Sequence, residues 1–420
     1  MKFRIKQPAR FARSDNLPNS TAQPMDNKLE QARDHFLQGI QHFEAHCFAE
    51  ARACFEASLA LAPGRVSVLA NLGITHFRLG HWADAIQLLQ QVTVADPDSS
   101  DAWAYLGLAH EATAQRSAAV ACLSRALALE PRHASLWLTL GQCQLSLGLA
   151  APALQAFDRA LAADPNFAAA WSERGSLLRE MNQLEEAARC FEKALSLGAD
   201  AELNSYYLAS VRGTESPASP PRKYVETLFD SYAGDFQEHL LEKLQYQAHE
   251  SLLRPLIGAG QRFPAVLDLG CGTGLCGRLI HPLADAVDGI DVSSVMLEEA
   301  RQLGVYRNLI HADLAPFLAE TGLRADLILA ADVFIYVGEL TGIFKSIRRI
   351  LQPAGCFALT LELYSTGQDV HLLPSLRYAH SEAYIRRLAQ THGFTVKDLF
   401  TAPLRYDQLQ PVQGLYVYLY

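Results

Sequence analysis

Two kinds of spacing divide the chain. From about residue 29 to 200, positions recur every 34 residues: Pro63, Pro97, Pro131 and Pro165; Gly39, Gly73, Gly107, Gly141 and Gly175; Ala51, Ala85, Ala119, Ala153 and Ala187. Trp103, Trp137 and Trp171 follow their prolines by six residues, with Leu69 in the equivalent earlier place. Phe55, Leu89, Leu123, Phe157 and Phe191 form a further series. Such a step, with apolar residues at helical spacing, predicts about five stacked helical hairpins, none able to bury its apolar face alone. The small residues let paired helices approach, the aromatic fills the space between hairpins, and each proline stops a second helix.

From Ala265 the pattern changes to short apolar runs alternating with amphipathic stretches. Strands are expected near 265–269, 286–290, 307–311, 325–330, 355–362, 394–400 and 413–420, and helices near 275–281, 293–303, 314–320, 338–351 and 381–392. Strand–helix alternation with glycine turns predicts a doubly wound parallel sheet. The last two apolar runs have no helix between them and predict a terminal antiparallel hairpin. Ahead of the sheet, Tyr224 to about Ile257 reads as helical, with Phe229, Phe236, Leu240, Leu241 and Leu244 at helix-like steps. Residues 211–222 hold Gly, Ser and three Pro and read as a fairly stiff linker. The expected domains are a basic tail at 1–28, a repeat array at 29–205, the linker, and an α/β domain at 223–420.

Composition narrows the classes. With 420 residues, half of them apolar, the chain has room for two or three domains. A net charge of −9 and a pI near 5.9 argue against a general binder of nucleic acid or membrane surfaces. No apolar run approaches the roughly 18 residues of a membrane span. Residues 1–24 hold five Lys/Arg and one Asp without an apolar segment, which excludes a secretory signal and predicts a disordered start, with order beginning near Met25. The same composition also suits a transit peptide. A cytoplasmic location is expected. The eight cysteines form no Cys-x-x-Cys pair and have no histidine at metal spacing, so free thiols and no metal are expected. His76, His81 and His110 read as surface or packed residues of the array.

The 34-residue series resembles the tetratricopeptide repeat family. The resemblance implies a groove for a peptide or partner protein, or, in the alternative, a rigid spacer or oligomerisation arm.

The candidate chemistry starts at Ala265–Gly274, a buried strand that stops, turns and enters a helix. Gly270, Gly272 and Gly274 permit positive φ and let a ligand approach bare backbone. Two patterns fit: Gly270-x-Gly272-x-Gly274, and the dinucleotide fingerprint Gly272-x-Gly274-x-x-Gly277. Asp268 favours the first, because it repels a pyrophosphate and attracts a sulfonium with its ammonium group; three acids at successive strand ends and no arginine set for phosphates point the same way, although each acid alone also suits a cap on the following helix. Asp291, closing the second strand, suits two ribose hydroxyls for either cofactor.

With this layout, residues 224–420 resemble the Rossmann-like, seven-stranded class I S-adenosylmethionine methyltransferase fold. The whole chain resembles bacterial predicted methyltransferases that carry tetratricopeptide repeats. The resemblance implies S-adenosylmethionine as cofactor, held by Asp268, Gly270, Gly272, Gly274 and Asp291. It places Asp313, with Leu314 beside it, at the adenine, and makes Tyr232, in Phe-Asp-x-Tyr-Ala, part of a segment closing over the ligand. The fourth strand's end faces the methyl group in this fold. Amino-methylating members carry Asn/Asp-Pro-Pro-Tyr there. Ala331-Asp332-Val333-Phe334 departs from it, against methylation of adenine N6 or a glutamine amide. Asp332 and Tyr336 either orient or deprotonate a substrate, or support the loop. Past the fifth strand, His371, Arg377, Tyr378 and His380 cluster. Arg377 suits a carboxylate and His380 a general base; the alternative is a helix start capped by Ser381. The implied activity is methyl transfer to a small molecule, such as a carboxylic acid, or to a protein held by the repeats. The alternative is a scaffold whose methyltransferase-like domain senses the cofactor or is inactive.

Overall fold

A computed structural model describes residues 22–420, apart from 214–215, 223, 226–227, 229–244, 366 and 408–409. Contacts divide the chain into two compact units, 1–177 and 178–420, with the division falling inside one helix.

The first unit is the hairpin array. Its helices are α1 (Ala22–Glu44), α2 (Phe48–Leu61), α3 (Val66–Arg78), α4 (Trp82–Ala95), α5 (Ser100–Ala112), α6 (Arg116–Leu129), α7 (Ala134–Ser146) and α8 (Ala150–Ala163), followed by the start of α9 (Ala168–Glu180). The second helix of each hairpin stops two residues before its proline. The tryptophans have a polar duty as well as an apolar one: the indole N–H groups of Trp103, Trp137 and Trp171 donate to the carbonyls of Pro97, Pro131 and Pro165 at 2.8–2.9 Å. The glycines are obligatory for helix approach. A Cβ on Gly39, Gly73, Gly107 or Gly141 would lie 2.4–2.9 Å from Phe55, Leu89, Leu123 or Phe157, all fully buried. The first helix begins at Ala22, ahead of the expected start near Met25. Among the described residues no helix is long and apolar enough to cross a membrane. All eight cysteines are free thiols.

In the second unit, α10 (Leu184–Ser196) and α11 (Ala201–Arg212) precede the sheet. Asp200 caps α11 by accepting the Leu203 N–H at 3.0 Å, and Gly213, at φ +60°, ends it. The stretch read as a linker therefore opens as helix and continues as a strap. The Ala218 carbonyl accepts the N–H groups of Gly338 and Glu339, both at 3.0 Å, and Ser216 Oγ accepts the Leu372 N–H.

The strands are β1 (Phe263–Leu269), β2 (Ala284–Asp291), β3 (Asn308–His311), β4 (Ala325–Ala330), β5 (Leu351–Leu363), β6 (Val370–Leu372), β7 (Tyr378–His380), β8 (Val396–Asp407) and β9 (Gln410–Leu419). β3, β2, β1, β4 and β5 lie side by side and parallel; β9 joins β5 antiparallel and β8 pairs with β9. The doubly wound sheet and its terminal hairpin are as expected. Among the described residues the sheet has nine strands instead of seven, because the short hairpin β6–β7 adds to the end of β5 at Glu362 and Leu363. Three-residue strands are too short to display a period, so this segment read as a loop leading into a helix.

Both sheet faces are covered, as parallel strands require. Val266, Leu327, Leu329 and Ala358 pack with Leu252, Leu253 and Leu256 of α12 (Ala248–Gly258). Leu267, Ile328, Ala330 and Leu359 face the other way, onto Phe344 and Ile347 of α16 (Thr341–Ile350) and Ile385 and Leu388 of α17 (Glu382–Thr391). Three more helices, α13 (Leu275–Ile280), α14 (Ser294–Gln302) and α15 (Leu314–Glu320), follow β1, β2 and β3. The loops after the parallel strands thus gather at one edge.

Gly141→Ala would set a methyl group 2.4 Å from the Phe157 ring. The expected cost is about 1–3 kcal/mol of stability in the first unit, read from denaturant unfolding.

Candidate functional site

β1 ends in the glycine turn, where Gly270, Gly272 and Gly274 take φ of +58°, +52° and +91°. The three do different work. A Cβ on Gly270 would lie 2.8 Å from Val333, and one on Gly274 would lie 2.6 Å from Leu303. Gly272 faces open space. Two glycines therefore serve packing, and the middle one leaves the turn bare.

Gly277, the residue that completed the dinucleotide pattern, serves the protein's own Tyr306. A Cβ there would lie 2.2 Å from the Tyr306 hydroxyl oxygen, and one on Gly289 would lie 2.9 Å from the same ring. Tyr306 fills this space and donates its hydroxyl to Asp268 Oδ2 at 2.7 Å. The sequence reading missed Tyr306; two further glycines flanking an aromatic-sized gap were the available signal.

Asp268 is 1 % exposed. Burial pushes its carboxyl up to about 7, and the neighbouring Asp291 adds to this; the hydrogen bonds from Tyr306 and the Gly277 backbone oppose it. Asp291 closes β2 and accepts the Gly272 N–H on Oδ2 at 2.8 Å and the Ser293 N–H on Oδ1 at 2.9 Å. Burial raises its carboxyl too, against those backbone donors. Asp313 follows β3 and caps α15, accepting the Ala315 N–H at 3.1 Å. Each of these carboxylates keeps acceptor capacity for a further donor.

These groups line one cavity of about 790 Å³, within the range of cofactor sites. Asp268, Gly270, Gly272, Asp291, Asp313, Leu314, Asp332, Tyr336 and Arg377 all face it. Gly274 does not, being spent on packing. Tyr232 lies outside the described residues.

Three residues of the proposed substrate cluster do not reach the cavity. His380 is fully buried; its Nε2 bonds the Gly338 carbonyl at 2.9 Å and its ring stacks on Tyr384. Burial lowers its imidazole to about 4, so it stays neutral and holds the loop after β4. It is not placed to act as a general base. Tyr378 is fully buried, its ring 6.3 Å from that of Tyr206. His371 stacks on Tyr364 at 4.5 Å. The alternative for Ser381 holds: it caps α17 through the Tyr384 N–H.

Asp332 sits at φ +59° and donates its N–H to Thr360 Oγ1 at 2.8 Å. Its carboxylate accepts Arg405 Nη1 at 3.2 Å on both oxygens, while Arg405 Nη2 donates to Glu362 at 2.6 Å. Arg405, 2 % exposed, is thus shared by two acids. Arg377 differs. Burial pulls its guanidinium down, but Tyr336, which hydrogen-bonds it, together with Asp332 and Glu362, outweighs that and raises it. Arg405 and Glu362 escaped notice because nothing local in sequence joins 332, 362 and 405. Arg179, Glu180 and Glu202, from α9 and α11, also line the cavity.

Away from the cavity, His76, His81 and Asp84 bring one ligand atom each within 4.8 Å of the others, a cluster that cysteine-centred spacing did not flag.

Comparison with known proteins bears on both units. Residues 266–355 match a family described as "Methyltransferase domain". Residues 42–108 and 114–177, and then 168–200, match families described as "Tetratricopeptide repeat". The chain is 30% identical over 152 residues to a malonyl-[acyl-carrier protein] O-methyltransferase of Pseudescherichia vulneris, covering 36% of this chain and 58% of that protein. It is 32% identical over 117 residues to a trans-aconitate 2-methyltransferase of Paracidovorax citrulli, covering 27% and 44%. The chain therefore spans less than two thirds of the length of these relatives. A crystal structure of MamA protein is 28% identical with a TM-score of 0.38, covering 40% of this chain and 92% of that one. A helical repeat region followed by a mostly parallel sheet, with both family matches on one chain, corresponds to a tetratricopeptide-repeat-containing class I methyltransferase.

Proposed function

We propose that residues 178–420 transfer a methyl group from S-adenosylmethionine to a small carboxylic acid, and that the hairpin array holds a protein partner. The observation that carries the reading is the convergence of Asp268, Asp291 and Asp313, from the ends of three successive strands, on one cavity beside the open Gly272.

The donor set suits that cofactor. Around the turn the side-chain charge is negative; the cavity's arginines come from other segments, α9, the strap, the β6–β7 turn and β8. When bound, S-adenosylmethionine would supply a methyl group on positively charged sulfur. Asp268 then faces a cation, Asp291 keeps lone pairs for the ribose, and Asp313 offers its carboxylate at the adenine. Arg377, oriented by Tyr336, is the cation for an acceptor carboxylate. A carboxylate acceptor is already deprotonated at neutral pH, so it needs no general base, which agrees with the burial of His380. The relatives' names point the same way, since malonyl groups and trans-aconitate carry carboxylates. Work left to the protein is positioning.

Incubation with S-adenosylmethionine carrying a labelled methyl group and fractionated lysate tests the reading. Label in small organic acids supports it. Label in protein bands moves the acceptor to a protein, and tight cofactor binding without any label makes the domain a cofactor-sensing scaffold. Asp291→Ala is expected to weaken S-adenosylmethionine binding by at least about a hundredfold in calorimetry; unchanged affinity removes the ribose assignment. Binding should also release a proton. Because Asp268 is partly protonated in the free protein and a cation favours its ionised form, affinity rises as pH passes upward through about 7. The gain from pH 6 to pH 8 is about tenfold, and Asp268→Asn flattens the profile.

A further inference from the structure

The turn that carries Arg377 is held in a strained shape by side chains from the helices that precede the sheet. Between β6 and β7, the Leu373 N–H donates to the Arg377 carbonyl at 2.8 Å and the Leu376 N–H donates to the Leu373 carbonyl at 2.9 Å. Leu376 has φ +63°, a left-handed conformation that favours glycine. A leucine stays there because of its surroundings. Its side chain is 4 % exposed and packs with Tyr206, Ala209, Leu372 and Tyr378. Its carbonyl accepts the Tyr206 hydroxyl at 2.8 Å, and the neighbouring Pro374 carbonyl accepts Arg179 Nη1. Tyr206 is 1 % exposed, and Leu376 is the backbone partner its buried hydroxyl finds. Arg377 follows Leu376 directly, so the backbone direction at 376 sets where the guanidinium goes. Arg179, Leu376 and Arg377 all line the cavity.

We propose that Tyr206 and Arg179 are positioning residues: they lock the 373–377 turn so that Arg377 meets the acceptor, and the acceptor end of the cavity is therefore completed by the end of α9 and by α11. This rests on the reading of the cavity as a methyltransferase site.

The test uses the full chain and three variants: Tyr206→Phe, which keeps the ring and removes the hydroxyl; Arg377→Gln, which removes the guanidinium and leaves the turn; and the double variant. The first readout is amide hydrogen exchange across 370–380. Tyr206→Phe is expected to speed exchange in 373–377 by about fivefold or more, and Arg377→Gln to leave it within twofold. The second readout is methyl transfer with trans-aconitate as probe acceptor. Tyr206→Phe should raise KM about tenfold with kcat and S-adenosylmethionine affinity nearly unchanged. The double variant should be no worse in KM than Arg377→Gln alone, because both act through one side chain. Unchanged exchange in Tyr206→Phe overturns the proposal, as do additive KM effects or a parallel loss of cofactor affinity. If the unmodified chain does not methylate trans-aconitate, the exchange readout alone decides. If the chain does not bind S-adenosylmethionine at all, the functional reading fails, while the exchange result still judges the turn.

Discussion

A carboxylate buried in the wall of a cavity is the constraint on which the second unit depends. Asp268 lies in the middle of the sheet, its strand flanked by β2 and β4, and is almost wholly buried. Burying an ion without a partner costs several kcal/mol, and a single hydrogen bond to a charged group returns roughly 1.5–3. Tyr306 and the Gly277 backbone supply such bonds, Gly277 and Gly289 leave room for the Tyr306 ring, and the remaining deficit appears as a carboxyl pushed up to about 7. The free site therefore sits near half-protonated at neutral pH. Its geometry is set by packing, while its charge state is left sensitive to its surroundings.

Two arginines of the cavity wall, Arg405 and Arg377, illustrate how surroundings sort like residues into unlike roles. Arg405 is held by Asp332 and Glu362 and ties β4, β5 and β8 together. Breaking such a buried set by removing one partner is strongly destabilising, which suits a structural brace. Arg377 reaches the cavity with a tyrosine as its hydrogen-bond partner and acids at longer range. Asp332 is the hinge between the two. Its left-handed backbone turns the chain away from β4, and its carboxylate is already engaged by Arg405.

Much of this was readable from the chain because it is periodic or local. The 34-residue step gave the helical hairpins of the first unit, since a glycine facing a large buried side chain leaves little freedom in how two helices meet. The strands of the parallel core and the acids at their ends were equally plain, because each acid sits beside its own strand in sequence. What escaped was non-local or short. Tyr306 reaches Asp268 across 38 positions and Arg405 reaches Asp332 across 73, and neither pairing leaves a mark on its neighbours. The β6–β7 hairpin is too brief to alternate visibly. His380 looked reactive in a polar string, yet its neighbours Tyr378 and Ala379 go into the sheet and carry it inside. The prolines of 217–221 read as spacing between domains, although the Ala218 carbonyl among them accepts the N–H groups of both Gly338 and Glu339.

The bond between Tyr206 and Leu376 joins groups 170 positions apart. On a ribosome, α11 leaves the exit tunnel long before the hairpin that covers its tyrosine has been made. The first unit, built from contacts between neighbours, has everything it needs by then. Tyr206 and Ala209, with the strap behind them, must wait as exposed apolar surface until most of the remaining chain has been synthesised, a window in which chaperone capture or misassembly competes with docking. The order of synthesis thus leaves α11 uncovered until the β6–β7 hairpin has been made.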